Sequence, residues 1–121
     1  MLPIDINSVK GFLAPDEGAA LYEQVLAVAS LGPCLEIGSY CGKSTVYLGS
    51  ACKKANSVLF AVDHHRGSEE HQLGEEYHDP QLYDVQFEKM DSFREFRHTL
   101  ARAQLEDVVV PIVAPSALAA R

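Results

Sequence analysis

The sequence predicts an α/β domain with helices covering both faces of a parallel sheet. Three observations carry this reading. Short, almost continuously apolar runs alternate with stretches of helical periodicity, the mark of strands buried on both faces. The first two runs each end near an acid, Glu36 and Asp63, and Asp63 stands 21 residues after Gly42. Between them Gly38-Ser-Tyr-Cys-Gly42 forms a glycine turn that opens a helix. A strand, a turn, a helix and a second parallel strand make the first half of a nucleotide- or nucleoside-binding unit.

The elements follow in the order α-β-α-β-α-β. Pro15 suits a first helical position, and Asp16 and Glu17 favour the positive end of a helix dipole. Leu21, Val25 and Val28, beside Tyr22, Leu26 and Ala29, then give a 3.6-residue stripe to about residue 31. Gly32-Pro33 stops that helix, and residues 34–37 are the first strand. Gly42 or Lys43 opens a helix carrying Val46, Leu48, Ala51 and Cys52, which ends near Asn56. The second strand covers residues 57–62. A polar stretch at residues 64–90 follows, too long for an ordinary connection and read as a lid-like loop. Ser92 and Glu95 are spaced as a capping box, with Phe93, Phe96, Leu100 and Ala103 on one face of the next helix. Residues 108–113 are the third strand.

Right-handed crossovers that keep moving outward give the spatial order 3-2-1. Pro111 agrees, because a proline within a strand belongs at a sheet edge. The first strand then keeps an unpaired side, an edge that favours pairing with another chain. The tail Ala117-Leu-Ala-Ala-Arg121 begins a further helical pattern. The whole chain, residues 1–121, reads as one domain with a lead-in segment at 1–14, and as the front half of a larger fold before a fourth strand.

Composition bounds the function. A net charge of −7 argues against a nucleic-acid backbone or an anionic membrane as partner. No apolar run approaches the roughly 20 residues of a membrane span. Cys34, Cys41 and Cys52 are odd in number and fall in a strand, a turn and a helix, a reduced, cytoplasmic pattern. Cys41 reads as a small turn residue.

Three motifs compete for the glycine turn. A phosphate-binding loop needs four residues between its first glycine and Gly-Lys-Ser, and here there are three. A dinucleotide fingerprint needs a middle glycine for the close approach of a pyrophosphate, and Tyr40 occupies that place. The third motif fits: Glu36-Ile-Gly38-Ser-Tyr-Cys-Gly42 resembles the acid-x-Gly-x-x-x-Gly motif of class I S-adenosylmethionine-dependent methyltransferases. Asp63 stands where that family carries its ribose-binding acid. Val9-Lys-Gly-Phe-Leu13, Asp63-His-His-Arg-Gly-Ser-Glu-Glu-His71 and Val110-Pro-Ile-Val-Ala-Pro-Ser116 are similar to segments of a bacterial branch of the superfamily. The resemblance spans nearly the whole chain but only the first half of the family's fold.

The resemblance implies a Rossmann-like, three-layer α-β-α fold and S-adenosylmethionine as cofactor. Gly38 and Gly42 would let the backbone approach the amino acid end and ribose, with Ser39, Tyr40 and Ser44 lining the turn. Glu36 would reach the ligand's ammonium group, and the alternative is a carboxylate that caps the turn. Asp63 would accept both ribose hydroxyls, or act as a plain cap. Ser116 stands where the family often contacts adenine, or serves as an N-cap. Methyl transfer to an oxygen of a small-molecule acceptor follows by the same resemblance.

The loop adds His64, His65, His71 and His78 among Glu69, Glu70, Glu75, Glu76 and Asp79. These are zinc, iron or manganese ligand types, but no pair has tight i, i+4 spacing, and a solvated acidic lid is preferred to a metal site. His64, next to Asp63, is the candidate general base; no other catalytic residue is identified. Tyr77, Tyr83 and Phe87 are expected to anchor the loop. Two further readings remain open, a non-catalytic assembly module completed by a second copy or partner, and a metal-binding protein built on the histidine loop.

Overall fold

The computed structural model describes residues 2–67 and 79–121. The main elements are α1 (Pro15–Val28), β1 (Cys34–Ile37), α2 (Lys43–Lys54) and β2 (Leu59–Asp63). After them come β3 (Tyr83–Asp84), β4 (Lys89–Met90), α3 (Phe93–Arg102), β5 (Val109–Val113) and α4 (Ser116–Ala119). β1, β2 and β5 form a parallel sheet in that order, with Glu36 beside Ala61 and Ala61 beside Pro111. The expected order 3-2-1 is thus observed, with Pro111 on the outer strand and β1 at the opposite edge.

α1 starts at Pro15, and the Glu17 carboxylate reaches back to accept from the Ala14 amide at 3.1 Å. Its buried stripe is Gly18, Tyr22 and Val25, continued by Ala29 after the helix; this is the Tyr22 side of the expected face, so that Val28 is exposed. Phe96 and Leu100 of α3 join Tyr22, Val46, Leu59, Ala61 and Val109 in the main core. The capping box expected at Ser92 is not formed. Asp91 Oδ1 accepts from the Phe93 amide at 3.0 Å instead, which frees the Ser92 hydroxyl for another partner.

The register sorts the sheet into two unlike faces. Cys34, Glu36, Leu59, Ala61 and Val109 face α1, α2 and α3. Leu35, Phe60 and Val110 form one row on the other face, and Ile37, Val62 and Ile112 the next. That third layer is represented, among the described residues, by α4 alone, and Leu35 and Ile37 remain 64% and 65% exposed. The polar stretch 64–90 also holds an unexpected element, the short antiparallel pair β3–β4. A second small core of Val9, Cys41, Leu82 and Met90 fastens it beneath the lead-in segment. Tyr83 packs there as expected of an anchor, whereas Phe87 is exposed. Among the described residues, no helix is long and apolar enough to cross a membrane.

Candidate functional site

The turn after β1 curls over the carboxyl end of the sheet. The Gly38 amide donates to the Val62 carbonyl at 2.8 Å, and the Gly42 amide closes the turn on the Ser39 carbonyl at 2.9 Å. Gly38, Tyr40 and Gly42 have φ of +88°, +49° and +96°. The left-handed region explains why glycine stands at two of these places. The two glycines face different ways. A Cβ on Gly38 would meet nothing within 4 Å, whereas one on Gly42 would lie 3.1 Å from Thr99 and 3.3 Å from Phe96. Gly42 therefore serves the packing of α2 on α3 and lines neither cleft beside the turn.

Two open clefts meet at Gly38 and Tyr40. The first, about 320 Å³, has Ile37, Val62 and Ala114 as apolar wall and Asp63, His64 and Ser116 as polar rim. The second, about 350 Å³, lies between the turn and the lead-in segment, and is bordered by Leu13, Glu17, Ser39, Lys43 and Ser44. Both are of a size for a small ligand. Ser116 is the first residue of α4 with Pro115 as N-cap, so the capping reading of Ser116 gives way to a place on the cleft wall.

Glu36 and Asp63 are held in opposite ways. Glu36 is 8% exposed and accepts from the hydroxyls of Ser44 and, at 2.5 Å, Thr45. The buried Ser39 hydroxyl, which lacks a well-aligned partner, is the third hydroxyl beside it. Burial pushes the Glu36 carboxyl above its ordinary range, against the pull of those hydroxyls and with the Asp63 charge adding to the rise. Asp63 accepts from the Tyr40 amide on one oxygen and the His65 amide on the other, each at 2.8 Å. Burial opposes its charge, but the two amides and the neighbouring His65 and His64 outweigh it and hold Asp63 below the usual carboxylate range. Each oxygen keeps lone-pair capacity toward the cleft, since an ionised carboxylate offers about four acceptor sites.

The histidines separate. His64 is exposed at the first cleft and its Nδ1 accepts from the Arg66 amide at 2.9 Å. His65, by contrast with the expectation of a solvated loop, is 2% exposed, with Nδ1 2.8 Å from Ser92 Oγ. His71, His78, Glu69, Glu70, Glu75, Glu76 and Tyr77 lie outside the described residues. Among the described residues no group of three or more His, Cys, Asp or Glu side chains could hold a metal ion. Cys41 is buried, and burial pushes its thiol up to about 12, in keeping with a packed turn residue. Sequence reasoning placed Ser39, Tyr40 and Ser44 on the turn that borders the second cleft, but missed Thr45 and Ser92 as site residues and Leu13, Glu17 and Lys43 on the cleft's border. The Ser44-Thr45 pair at the opening of α2 was the available signal for Thr45; none marked Ser92.

The junction of the two clefts combines open space, acceptors and charges of both signs. Gly38 leaves open space where the clefts join, Asp63 offers acceptors at the rim of the first, and the second presents both signs of charge beside the turn. A family model described as a methyltransferase domain matches residues 35–121. The crystal structure of a proposed O-methyltransferase from Klebsiella pneumoniae is similar at a TM-score of 0.59 and 18% identity, over 92% of this chain and 39% of that one. Cofactor-bound Rv0187 from MTB is similar at 0.56 and 18%, over 91% of this chain and 39% of that one. At such identity the likeness is one of fold, and this chain spans about 39% of the length of those two proteins.

Proposed function

The chain belongs to the methyltransferase-domain family, and from that premise we propose that it binds S-adenosylmethionine across the carboxyl ends of β1 and β2. It is read as the cofactor-binding half of a cytoplasmic methyltransferase acting on an oxygen of a small molecule. The bound cofactor would supply an electrophilic methyl group, and the residues of this chain would hold and orient it, the main requirement of an in-line displacement. Asp63 is the observation that carries the reading: an ionised carboxylate at a cleft rim, fixed by two amides and still able to accept from a vicinal diol. Ser116 and the apolar wall of the first cleft would meet the adenine, while Ser39, Tyr40 and Ser44 shape the turn beneath the amino acid arm. Glu36 lies beneath that turn and lines neither cleft, so its contribution is to hold the turn and add negative potential below the ammonium group. His64 is the candidate base for an acceptor hydroxyl.

Calorimetric titration with S-adenosylhomocysteine tests this. Saturable binding by the wild-type chain is expected, and the combined Gly38→Val and Asp63→Ala variant should bind at least about 100-fold more weakly, the equivalent of two hydrogen bonds to a charged acceptor. Equal affinity in a variant that keeps its circular dichroism spectrum would overturn the proposal.

The apolar rows Leu35–Phe60–Val110 and Ile37–Val62–Ile112, with the single-sided pairing of β1, favour a second reading. In it the chain is an assembly module whose sheet is completed by a second copy. Light scattering of a stable monomer at high concentration would count against it.

A further inference from the structure

The turn that presents Asp63 is built on a side chain with no access to either cleft. The Asp63 carboxylate accepts from the amide of the residue two positions on, His65, and His65 has a φ of +61°. A non-glycine residue keeps that conformation only where its surroundings over-determine it. At His65 they do so from several directions. Its ring is 2% exposed and packs on Phe93 and Phe96 with centroids 5.3 and 5.0 Å away. Nδ1 is 2.8 Å from Ser92 Oγ, and the Ser92 amide donates to the His65 carbonyl at 2.9 Å. Ser92 is the N-cap residue of α3, and its hydroxyl is available because Asp91 caps that helix.

We propose that His65 is a positioning residue for Asp63, transmitting the fixed start of α3 to the carboxylate at the cleft through its own backbone amide. The proposal rests on the reading that Asp63 meets the ribose, but the geometry it concerns exists without ligand. If the ring is removed, the left-handed residue loses its anchor, the amide swings away, and Asp63 keeps the Tyr40 amide alone. His65→Asn should preserve the device, since asparagine can offer a polar atom near the Nδ1 position and tolerates a left-handed backbone. His65→Leu fills the same space without that atom.

The test is a carbon-13 NMR titration of the Asp63 carboxyl in the free protein, with S-adenosylhomocysteine affinity as second readout. His65→Leu should move the Asp63 midpoint up toward the ordinary aspartate value, Ser92→Ala should do so to a smaller extent, and His65→Asn, which loses the imidazole charge but keeps the amide in place, should move it clearly less than His65→Leu. Affinity should fall about tenfold in His65→Leu, be retained in His65→Asn, and show no further loss when His65→Leu is added to Asp63→Ala. An unchanged Asp63 midpoint in both His65→Leu and Ser92→Ala, with melting curves showing both folded, would overturn the proposal. So would full additivity with Asp63→Ala, which marks a general loss of structure. A wild-type chain that binds no S-adenosylhomocysteine would instead contradict the proposed function, and the NMR titration would still decide the role of His65.

Discussion

Glu36 and Asp63 end neighbouring parallel strands, and the sheet brings them close enough for the Asp63 charge to act on Glu36. Glu36 turns inward and is answered by hydroxyls of α2; Asp63 stays at the cleft rim and is answered by backbone amides. Burial wins at Glu36 and raises its pKa, while the amides win at Asp63 and lower it. The same division separates the two glycines, Gly38 facing open space and Gly42 facing α3. A motif of two acids and two glycines thus splits into one acid and one glycine that build the turn, and one of each that face the clefts.

The largest expected effect breaks the comparison at its ligand side. Asp63→Ala alone should cost about 3 kcal/mol of S-adenosylhomocysteine binding, measured by calorimetry, and should also lower the melting temperature at neutral pH, because the Tyr40 and His65 amides lose their acceptor. On the other side, Thr45→Val removes a hydrogen bond to a buried carboxylate and should cost about 2 kcal/mol of folding stability in urea. Its affinity for S-adenosylhomocysteine should stay within about twofold of wild type, since a bond inside the fold makes no contact in either cleft. Gly42→Ala should lose about 1 kcal/mol or more, because its Cβ meets Thr99 at a positive φ, again with affinity kept; a matching loss of affinity would blur the distinction between the glycines.

The smallest effects lie in the pH dependence, where the two acids have opposite signs. Asp63, depressed in the folded state, contributes stability that is present above the ordinary aspartate value of about 3.9 and is lost as pH falls through its lower folded value. Glu36, raised in the folded state, contributes most below the ordinary glutamate value of about 4.3, and that contribution is given up as pH rises through its folded value. Melting temperature followed from pH 3 to 8 should therefore decline less steeply on the acid side in Asp63→Asn, and less steeply with rising pH in Glu36→Gln.

The parallel sheet was legible because its strands are compact apolar runs bounded by Gly32-Pro33, by the glycine turn and by polar residues, so their order followed from simple rules, whereas their register did not. The helix face of α1 was partly legible: Tyr22 and Val25 were in the expected stripe, but Gly18 was not, since a glycine carries no hydrophobic signal. Strands of two residues within a polar stretch leave no periodicity, which hid β3 and β4. At the site, Glu36, Gly38 and Asp63 announced themselves by motif, but their division of labour depends on contacts. Thr45 lies nine residues from Glu36, and Ser92 lies 27 residues from the histidine it meets. His65 looked like one more polar loop residue, and only its burial between α3 and the sheet end distinguishes it from His64.

The most direct measurement is a carbon-13 NMR titration of the Glu36 and Asp63 side-chain carboxyls, free and saturated with S-adenosylhomocysteine. A Glu36 midpoint above the ordinary glutamate value, an Asp63 midpoint below the ordinary aspartate value and a ligand-induced change concentrated at Asp63 are expected. A ligand that shifts Glu36 and leaves Asp63 unmoved would contradict this division between the two acids.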